Sequence, residues 1–584
     1  VRIYSHLNDG GIRRPIMADI SGGELLMECL ANQGINIIFG IPDGTFNNMF
    51  QWTHEHGEAK NLRFVTMRHE AAGAHMADAM ARVTGKPGVV ISGAGPGVAN
   101  MIAGVATAYA ENIPMIALTS SRRTDLINPP RGGMQVLDQV AAIKPLSKMS
   151  TQVTRPERIP EVFGIAYRTA TTGMPGPAHI DIPEDIMYAR IPAKSVPPTP
   201  PVKLSLPAAD VEMVAKAAEL LVNAKEPFIH CGATVVRAGA WNELRELAEY
   251  LGIPVTTTPA GRGAIPEDHP LAIPTIATTC RAALSQADIV LAVGVRFGEL
   301  DFFGKAPLWG TPETQKLIQI HIAPEHIGVN KKVDVPIVAH AKPALAQLLE
   351  AVKKLTPKRD EHPKMKQYRD LIGITERELV KKHCTGSTPV VTGEMIKEAR
   401  EFFPREAITV LDGGNTSLWN VHFNKVFEPR TMLWTSDFGH LGTGLPYAIG
   451  AKLAAPDRPV YLISGDSAFG FNIQELETAR RNNANIIALV AVDNAWGMEK
   501  SSQGRIFGTH DYYVNCEHSP VRYDKIAEAV GCFGAYVEKP EEVKPALQKA
   551  VDSGLPAVIH VAVDPQANVF PPGIELWAAT HSTK

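Results

Sequence analysis

Short apolar, β-branched runs alternate with longer stretches of helical periodicity along most of the chain. Between Gly22 and Asp185 the runs NIIFGIPDG, RFVTMRHE, GVVISGAGPG, MIALTSS and AHIDIPED have the length and side chains of buried strands, and the intervals between them can hold helices. Such alternation predicts a parallel sheet covered by helices. The proline-rich stretch RIPAKSVPPTPPVKLSLP, from Arg190 to Pro207, favours extended backbone without regular elements and predicts a linker. A second series, FIHCG, PVTTTP, DIVLAVG and KLIQIHI, runs between Pro227 and Ile322. The charged span KKLTPKRDEHPKMKQYRD then predicts a solvated connector leading into a helix. A third series begins at Ala407 with the strands ITVLDGG, PVYLISGD, NIIALVAVDN and PAVIHVAVD. The pattern therefore predicts an α/β protein of three parallel-sheet domains, at 17–189, 208–352 and 371–564, followed at 565–584 by a tail or lid without periodicity.

Composition agrees with that division. The 584 residues exceed what one hydrophobic core supports, and 45% hydrophobic with 20% charged residues is the mixture of a globular protein. A formal charge of -3 gives no global attraction to nucleic acid or anionic lipid, so a small-molecule substrate is expected. The six cysteines are dispersed, without a CxxC pair, as expected of reduced thiols. No stretch approaches a membrane span, and VRIYSHLNDGGIRRPIMADI lacks a signal peptide's apolar core. The expectation is a cytoplasmic enzyme with neither nucleic acid nor membrane as a partner.

The most informative stretch is YLISGDSAFGFNIQELETARRNNANIIALVAVDNAWGMEK. One strand ends in Gly465-Asp466, a helix starts near Asn472, and a second strand ends in Asp493-Asn494. Parallel strands deliver Asp466 and Asn494 to one carboxyl edge, where α/β proteins place ligands. A carboxylate, an amide oxygen and a nearby carbonyl are hard donors of the kind magnesium takes alongside phosphate oxygens, and Gly465 with Ser467 lets backbone N–H groups approach a diphosphate. A Gly-Asp start and an Asn finish at this separation resemble the cofactor motif of thiamine-diphosphate enzymes. That resemblance implies thiamine diphosphate and Mg2+, with Asp466 and Asn494 as metal ligands through their side chains and Trp496 through its backbone oxygen. Asp493 stands where the family usually has the first of two asparagines.

Other segments fall in the order the family requires. FVTMRHEAAGAHMADAMARVTGKPGVVIS resembles the segment carrying the catalytic glutamate, which makes Glu70 the group that exchanges a proton at N1′ of the aminopyrimidine; an apolar pocket would raise its pKa. The glycine-rich turn Ser92–Asn100, with Gly95 and Asn100, matches in place. SDFGHLGTGLPYAIGAKLAA resembles the segment holding the bent cofactor, with Leu441 beneath its rings. The loop Asp412–Ser417, including Gly414, Asn415 and Thr416, suits the diphosphate together with Ala468. The resemblance covers nearly the whole chain and implies pyrimidine-binding, middle and diphosphate-binding domains. It also implies a homodimer or homotetramer, each site joining the first domain of one subunit to the third of another.

Substrate must be read from residues facing the thiazolium. GGMQVLDQVAAIKPLSK, with Gln135, resembles the acetohydroxyacid synthase and oxalyl-CoA decarboxylase group, although Val136 stands where that group has Glu. GDSAFGFNIQELETARR is similar to 2-hydroxyacyl-CoA lyases. NAWGMEKSSQGRIFG lacks the Gln-Trp that follows Gly-Met in the synthases and puts Glu499 there instead. The reading favoured by these residues is a lyase that splits a 2-hydroxyacyl-CoA into formyl-CoA and an aldehyde or ketone, or runs the reverse condensation, with Gln135 and Glu499 beside the substrate. Arg237, Arg262, Arg296 and Lys305 are candidate cations for the phosphates of a CoA tail, and whether a nucleotide such as ADP or FAD also occupies the middle domain stays open. Phe570, Ile574, Leu576 and Trp577 are candidate lid residues. The alternatives are an acetolactate-synthase-like carboligase acting on pyruvate and an inactive regulatory paralogue.

Overall fold

The structure is a computed structural model, which describes residues 19–573 except 198, 199, 203, 276 and 277. Its architecture is the expected α/β arrangement of three parallel sheets. In the first sheet the strands lie in the spatial order Arg63–Val65, Ile37–Gly40, Gly88–Ser92, Met115–Thr119, Pro177–Asp181, Met149–Gln152. The middle sheet runs Val255–Thr257, Pro227–Cys231, Ile289–Val293, Lys316–His321, Val335–Val338. In the third the order is Met432–Leu433, Ile408–Asp412, Val460–Gly465, Ile487–Val492, Ala557–Ala562, Phe533–Val537. Each order reverses beside the first strand formed, so the ends of Ile37–Gly40 and Gly88–Ser92, of Pro227–Cys231 and Ile289–Val293, and of Ile408–Asp412 and Val460–Gly465 open a crevice where ligands bind in such sheets.

The apolar runs become central strands, buried on both faces, as parallel strands between helical layers must be. The expected linker departs from prediction at its start. Arg190–Pro192 pairs antiparallel with Asp19–Ser21, Ile20 opposite Ile191, and in a two-stranded sheet each strand is an edge, where proline is tolerated. The expected helix near Asn472 is two short helices, Asp466–Gly470 and Glu475–Arg481. The lid candidates Ile574, Leu576 and Trp577 lie outside the described residues. Among the described residues no helix is long and apolar enough to cross a membrane, and none of the six cysteines forms a disulfide.

The first and third sheets share one core. Helix Glu70–Thr84, EAAGAHMADAMARVT, is alanine-rich and capped by His69, whose Nδ1 accepts the N–H of Ala71 at 3.2 Å. It packs on helix Gly444–Ala454, and Met76, Ala77, Met80, Tyr447, Ala448 and Ala451 are buried in the common cluster. Gly450 makes that approach possible, because a β-carbon there would lie 2.4 Å from the Met76 carbonyl oxygen. Gly450→Ala should therefore destabilise the protein. The gain in helix propensity of ~1 kcal/mol is outweighed by an overpacking cost of ~1–3 kcal/mol against backbone that cannot rotate away. A lower thermal midpoint is expected, and a raised one would contradict this packing.

Candidate active site

The third sheet's crevice holds a cavity of about 350 Å³. Strand Ile408–Asp412 ends in a buried carboxylate, and Asp412 accepts backbone N–H groups from Gly413 at 2.8 Å, Gly442 at 3.2 Å and Gly444 at 2.7 Å. Burial pushes this carboxyl up to about 6. Its bonds tie the loop carrying Leu441 to the loop Gly413–Thr416, so that both face the cavity.

The neighbouring strands supply the rest. Asp466 accepts the N–H of Ser467 at 2.7 Å and that of Asn494 at 2.8 Å, which locks the two strand ends together. Asn494 takes a left-handed φ of 55°, a conformation asparagine tolerates better than most residues. Burial, then the charge of Asp493, pushes the Asp466 carboxyl up to about 7. Asp493 is itself engaged, accepting from Ala495 N–H at 3.2 Å and from Asn568 Nδ2 at 2.8 Å. Asp466 and Asn494, the expected carboxylate and amide ligands, thus stand at two strand ends joined by a backbone bond, with Trp496 two residues further on. This set fits a hard cation that also takes phosphate oxygens.

Gly414, Asn415, Thr416, Leu441, Gly465, Asp466, Ser467, Ala468, Trp496 and Glu499 all line the cavity, and Asn494 lies between the lining residues Asp493 and Ala495. Residues that sequence reasoning did not single out complete the wall: Trp434, His440, Met498, Asn568 and, from the middle domain, Pro259, Leu300 and Phe302. Asn568 comes from the segment without periodicity, and its backbone oxygen accepts from Asn415 Nδ2 at 2.7 Å. Phe302 has a φ of 52°, a strained conformation for a bulky side chain.

A second group of expected residues gathers elsewhere. Glu70, half-buried at the start of its helix, accepts from Asn100 Nδ2 at 3.0 Å. Gly95 turns at a φ of 64°, and a β-carbon on it would meet the Gln135 carbonyl oxygen at 2.5 Å; its N–H donates to Gln139 Oε1 at 2.9 Å. Gln139 in turn donates to the buried Asp181 at 2.8 Å. Gln135 is exposed, with a φ of 61°. None of Glu70, Gly95, Asn100 and Gln135 lines the cavity.

The cations expected to bind substrate divide differently. Arg262 is 4% exposed and fully committed to its own fold: it pairs with both oxygens of Glu267 at 2.5 and 2.8 Å and donates to the backbone oxygens of Asn420 and Asn424. A guanidinium so engaged has nothing to offer a ligand, and its role is to join the middle and third domains. Arg296 pairs with Asp437 at 2.6 Å. With Arg237 it lines a second crevice of about 340 Å³ at Gly232 and Gly294, the middle sheet's reversal point. Lys305 is exposed, its ammonium 5.7 Å from the Phe303 ring centre.

Three family models match in succession: the N-terminal thiamine pyrophosphate (thiamine diphosphate) binding domain over residues 20–142, the central domain of thiamine pyrophosphate enzymes over 214–348, and the C-terminal binding domain over 412–561. A probable acetolactate synthase large subunit of Methanocaldococcus jannaschii is 34% identical, with 95% of this chain and 94% of that protein covered. The chain belongs to the thiamine pyrophosphate enzyme family. An acetolactate synthase large subunit of Corynebacterium glutamicum is 33% identical (94% and 88% covered), and a sulfoacetaldehyde acetyltransferase of Alcaligenes xylosoxydans xylosoxydans is 32% identical (90% and 89% covered). Glu70, Gly95, Asn100 and Gln135 fall within the first matched binding domain and Asp412, Leu441, Asp466 and Asn494 within the last, and the protein is a thiamine-diphosphate-dependent enzyme.

Asp466→Ala should abolish retention of thiamine diphosphate, and unchanged binding by calorimetry would contradict the assignment. Because burial and the Asp493 charge push the Asp466 carboxyl up to about 7, a cation binding there must displace a proton below that pH. Affinity for Mg2+ with thiamine diphosphate should rise with pH, about tenfold per unit, and level off above 7. Binding constants at pH 5.5, 6.5 and 7.5, each an approximate test point, check this, and a flat profile would contradict it.

Proposed function

We propose that this enzyme joins an acyl unit from a 2-oxo acid, with pyruvate as donor, to a carbonyl acceptor, in a carboligation of the acetolactate-synthase type. The observation that carries this reading is similarity over nearly the whole chain to acetolactate synthases, together with a cavity that the loops expected to take the diphosphate share with apolar side chains such as Leu441, Trp434 and Phe302. Thiamine diphosphate, when bound, supplies a nucleophilic carbon and an electron sink. The chain's own residues would then hold, orient and protonate. Asp466, Asn494 and the Trp496 carbonyl would hold Mg2+, Leu441 would support the bent cofactor, and Glu70 would exchange a proton at N1′.

One observation favours a second reading, the cleavage of a 2-hydroxyacyl-CoA to formyl-CoA and a ketone or aldehyde. Glu499 lines the cavity beside Met498, at the place where the synthases carry Gln-Trp after Gly-Met. A carboxyl group there can give a proton to the acceptor oxygen as the bond forms and take it back from the hydroxyl as the bond breaks. The second crevice, with Arg237 and Arg296, would accept the anionic part of a CoA ester or a nucleotide.

Because Glu70, Gly95, Asn100 and Gln135 stand away from the cavity, we propose that a second copy of the chain completes each site, in a homodimer or homotetramer.

Incubation of the loaded enzyme with pyruvate should give acetolactate. Acetone and formyl-CoA from 2-hydroxyisobutyryl-CoA, with no acetolactate from pyruvate, would overturn the first reading in favour of the second. An enzyme that retains cofactor but turns over neither substrate would match an inactive paralogue. Glu499→Gln should slow turnover about 100-fold with cofactor affinity intact, and normal turnover would return Glu499 to a solvated surface carboxylate.

A further inference from the structure

We infer that Glu475 is a positioning residue for Glu70, clamping from the third domain the turn that delivers Glu70 from the first. The inference rests on the reading of Glu70 as the group that exchanges a proton with the aminopyrimidine. Glu475 opens helix Glu475–Arg481, in the middle of the segment from Gly465 to Asn494, and is fully buried. Its two carboxylate oxygens accept the backbone N–H of Arg68 at 3.1 and 3.3 Å, and one of them also accepts the Thr478 hydroxyl at 2.7 Å. The N–H of His69 also faces this carboxylate. At the other end of the helix, Arg481 donates to the Thr66 carbonyl oxygen at 2.7 Å while pairing with Glu477 at 2.8 Å.

The turn needs these partners. Strand Arg63–Val65 ends one residue before Thr66, and helix Glu70–Thr84 begins one residue after His69. Backbone groups between two elements must be satisfied from elsewhere, and here one helix of the other domain supplies an acceptor for Arg68 and a donor for Thr66. A buried carboxylate is costly: burial pushes the Glu475 carboxyl up to about 7, opposed by the Thr478 hydroxyl, the N–H groups of Arg68 and His69 and the Arg68 charge. Core packing alone would be better served by an apolar residue. What the carboxylate adds is two acceptor oxygens directed at a turn whose next residue is Glu70. Fixed at Thr66, Arg68 and His69, that turn holds the Glu70 carboxylate within hydrogen-bonding distance of Asn100.

The proton exchange assigned to Glu70 can be read directly as exchange of the C2 hydrogen of bound thiamine diphosphate for deuterium, by acid quench and NMR, on the full-length, Mg2+-loaded enzyme. Glu475→Gln leaves one acceptor oxygen where the Arg68 N–H and the Thr478 hydroxyl draw on two, and should slow that exchange by at least about tenfold, with cofactor affinity and the donor's KM within about twofold. Because Glu475 acts through Glu70, the double variant with Glu70→Gln should be no slower than Glu70→Gln alone. Exchange at the wild-type rate in Glu475→Gln, or additive losses in the double variant, would overturn the inference. Where Glu475→Gln does not fold, Arg481→Met carries the test, with a several-fold slowing expected and a wild-type rate overturning it. Wild-type exchange in Glu70→Gln would instead overturn the reading of Glu70 itself, whatever Glu475→Gln does.

Discussion

The contact between helices Glu70–Thr84 and Gly444–Ala454 governs how the two cofactor-binding domains face each other, and Arg82 is its polar centre. Arg82 pairs with Asp78 at 2.5 Å, donates to Tyr447 Oη at 3.2 Å and the Trp434 carbonyl at 3.1 Å, and lies 3.6 Å from Glu111. Glu111 accepts the N–H groups of Asp437 and Phe438, each at 2.9 Å. Apolar packing supplies the adhesion; the buried ions supply its register, because removing one partner would strand the others in a medium of low dielectric. Trp434 and Phe438 belong to the loop that continues to Leu441, so the same contact that joins the domains also places the cofactor's expected support.

This arrangement has a geometric consequence. With the two helices locked, the Glu70 cluster and the cavity of Asp412, Asp466 and Leu441 belong to different surroundings within one chain. Each cluster is cross-linked by its own hydrogen bonds: Gln139 donates to Asp181 and accepts from Gly95 on one side, and on the other Asp412 accepts N–H groups of Gly442 and Gly444 while Asp466 accepts those of Ser467 and Asn494. The two clusters are built on one common core. The chemistry needs both.

The sequence made the three-sheet fold legible because the central strands are buried on both faces and therefore read as uninterrupted apolar runs. The strands it hid are peripheral or mixed: Met149–Gln152 is only half-buried and polar, Val335–Val338 alternates buried and exposed, and Phe533–Val537 has one buried residue. The cofactor residues were legible because glycines, one carboxylate and one amide are required at fixed strand ends. Arg262 shows the limit. An arginine on a loop after a strand reads as a possible ligand, and only the three-dimensional arrangement reveals Glu267, Asn420 and Asn424 around it. Asn568 and Phe302 were hidden for the converse reason, since each enters the cavity from a segment whose local pattern carries no signal. Glu475 lies inside the Gly465–Asn494 segment, yet its partner Arg68 is 407 residues away in sequence, so no local pattern reveals the pairing.

The central claim is that a working site takes Glu70 from one chain and Asp466 from another. The direct measurement mixes two inactive variants, Glu70→Gln and Asp466→Ala, by joint refolding in equal amounts. A mixed dimer would hold one site with both residues intact and one with neither, so activity should return to about one quarter of wild type. Mixtures no more active than either variant alone would contradict the account.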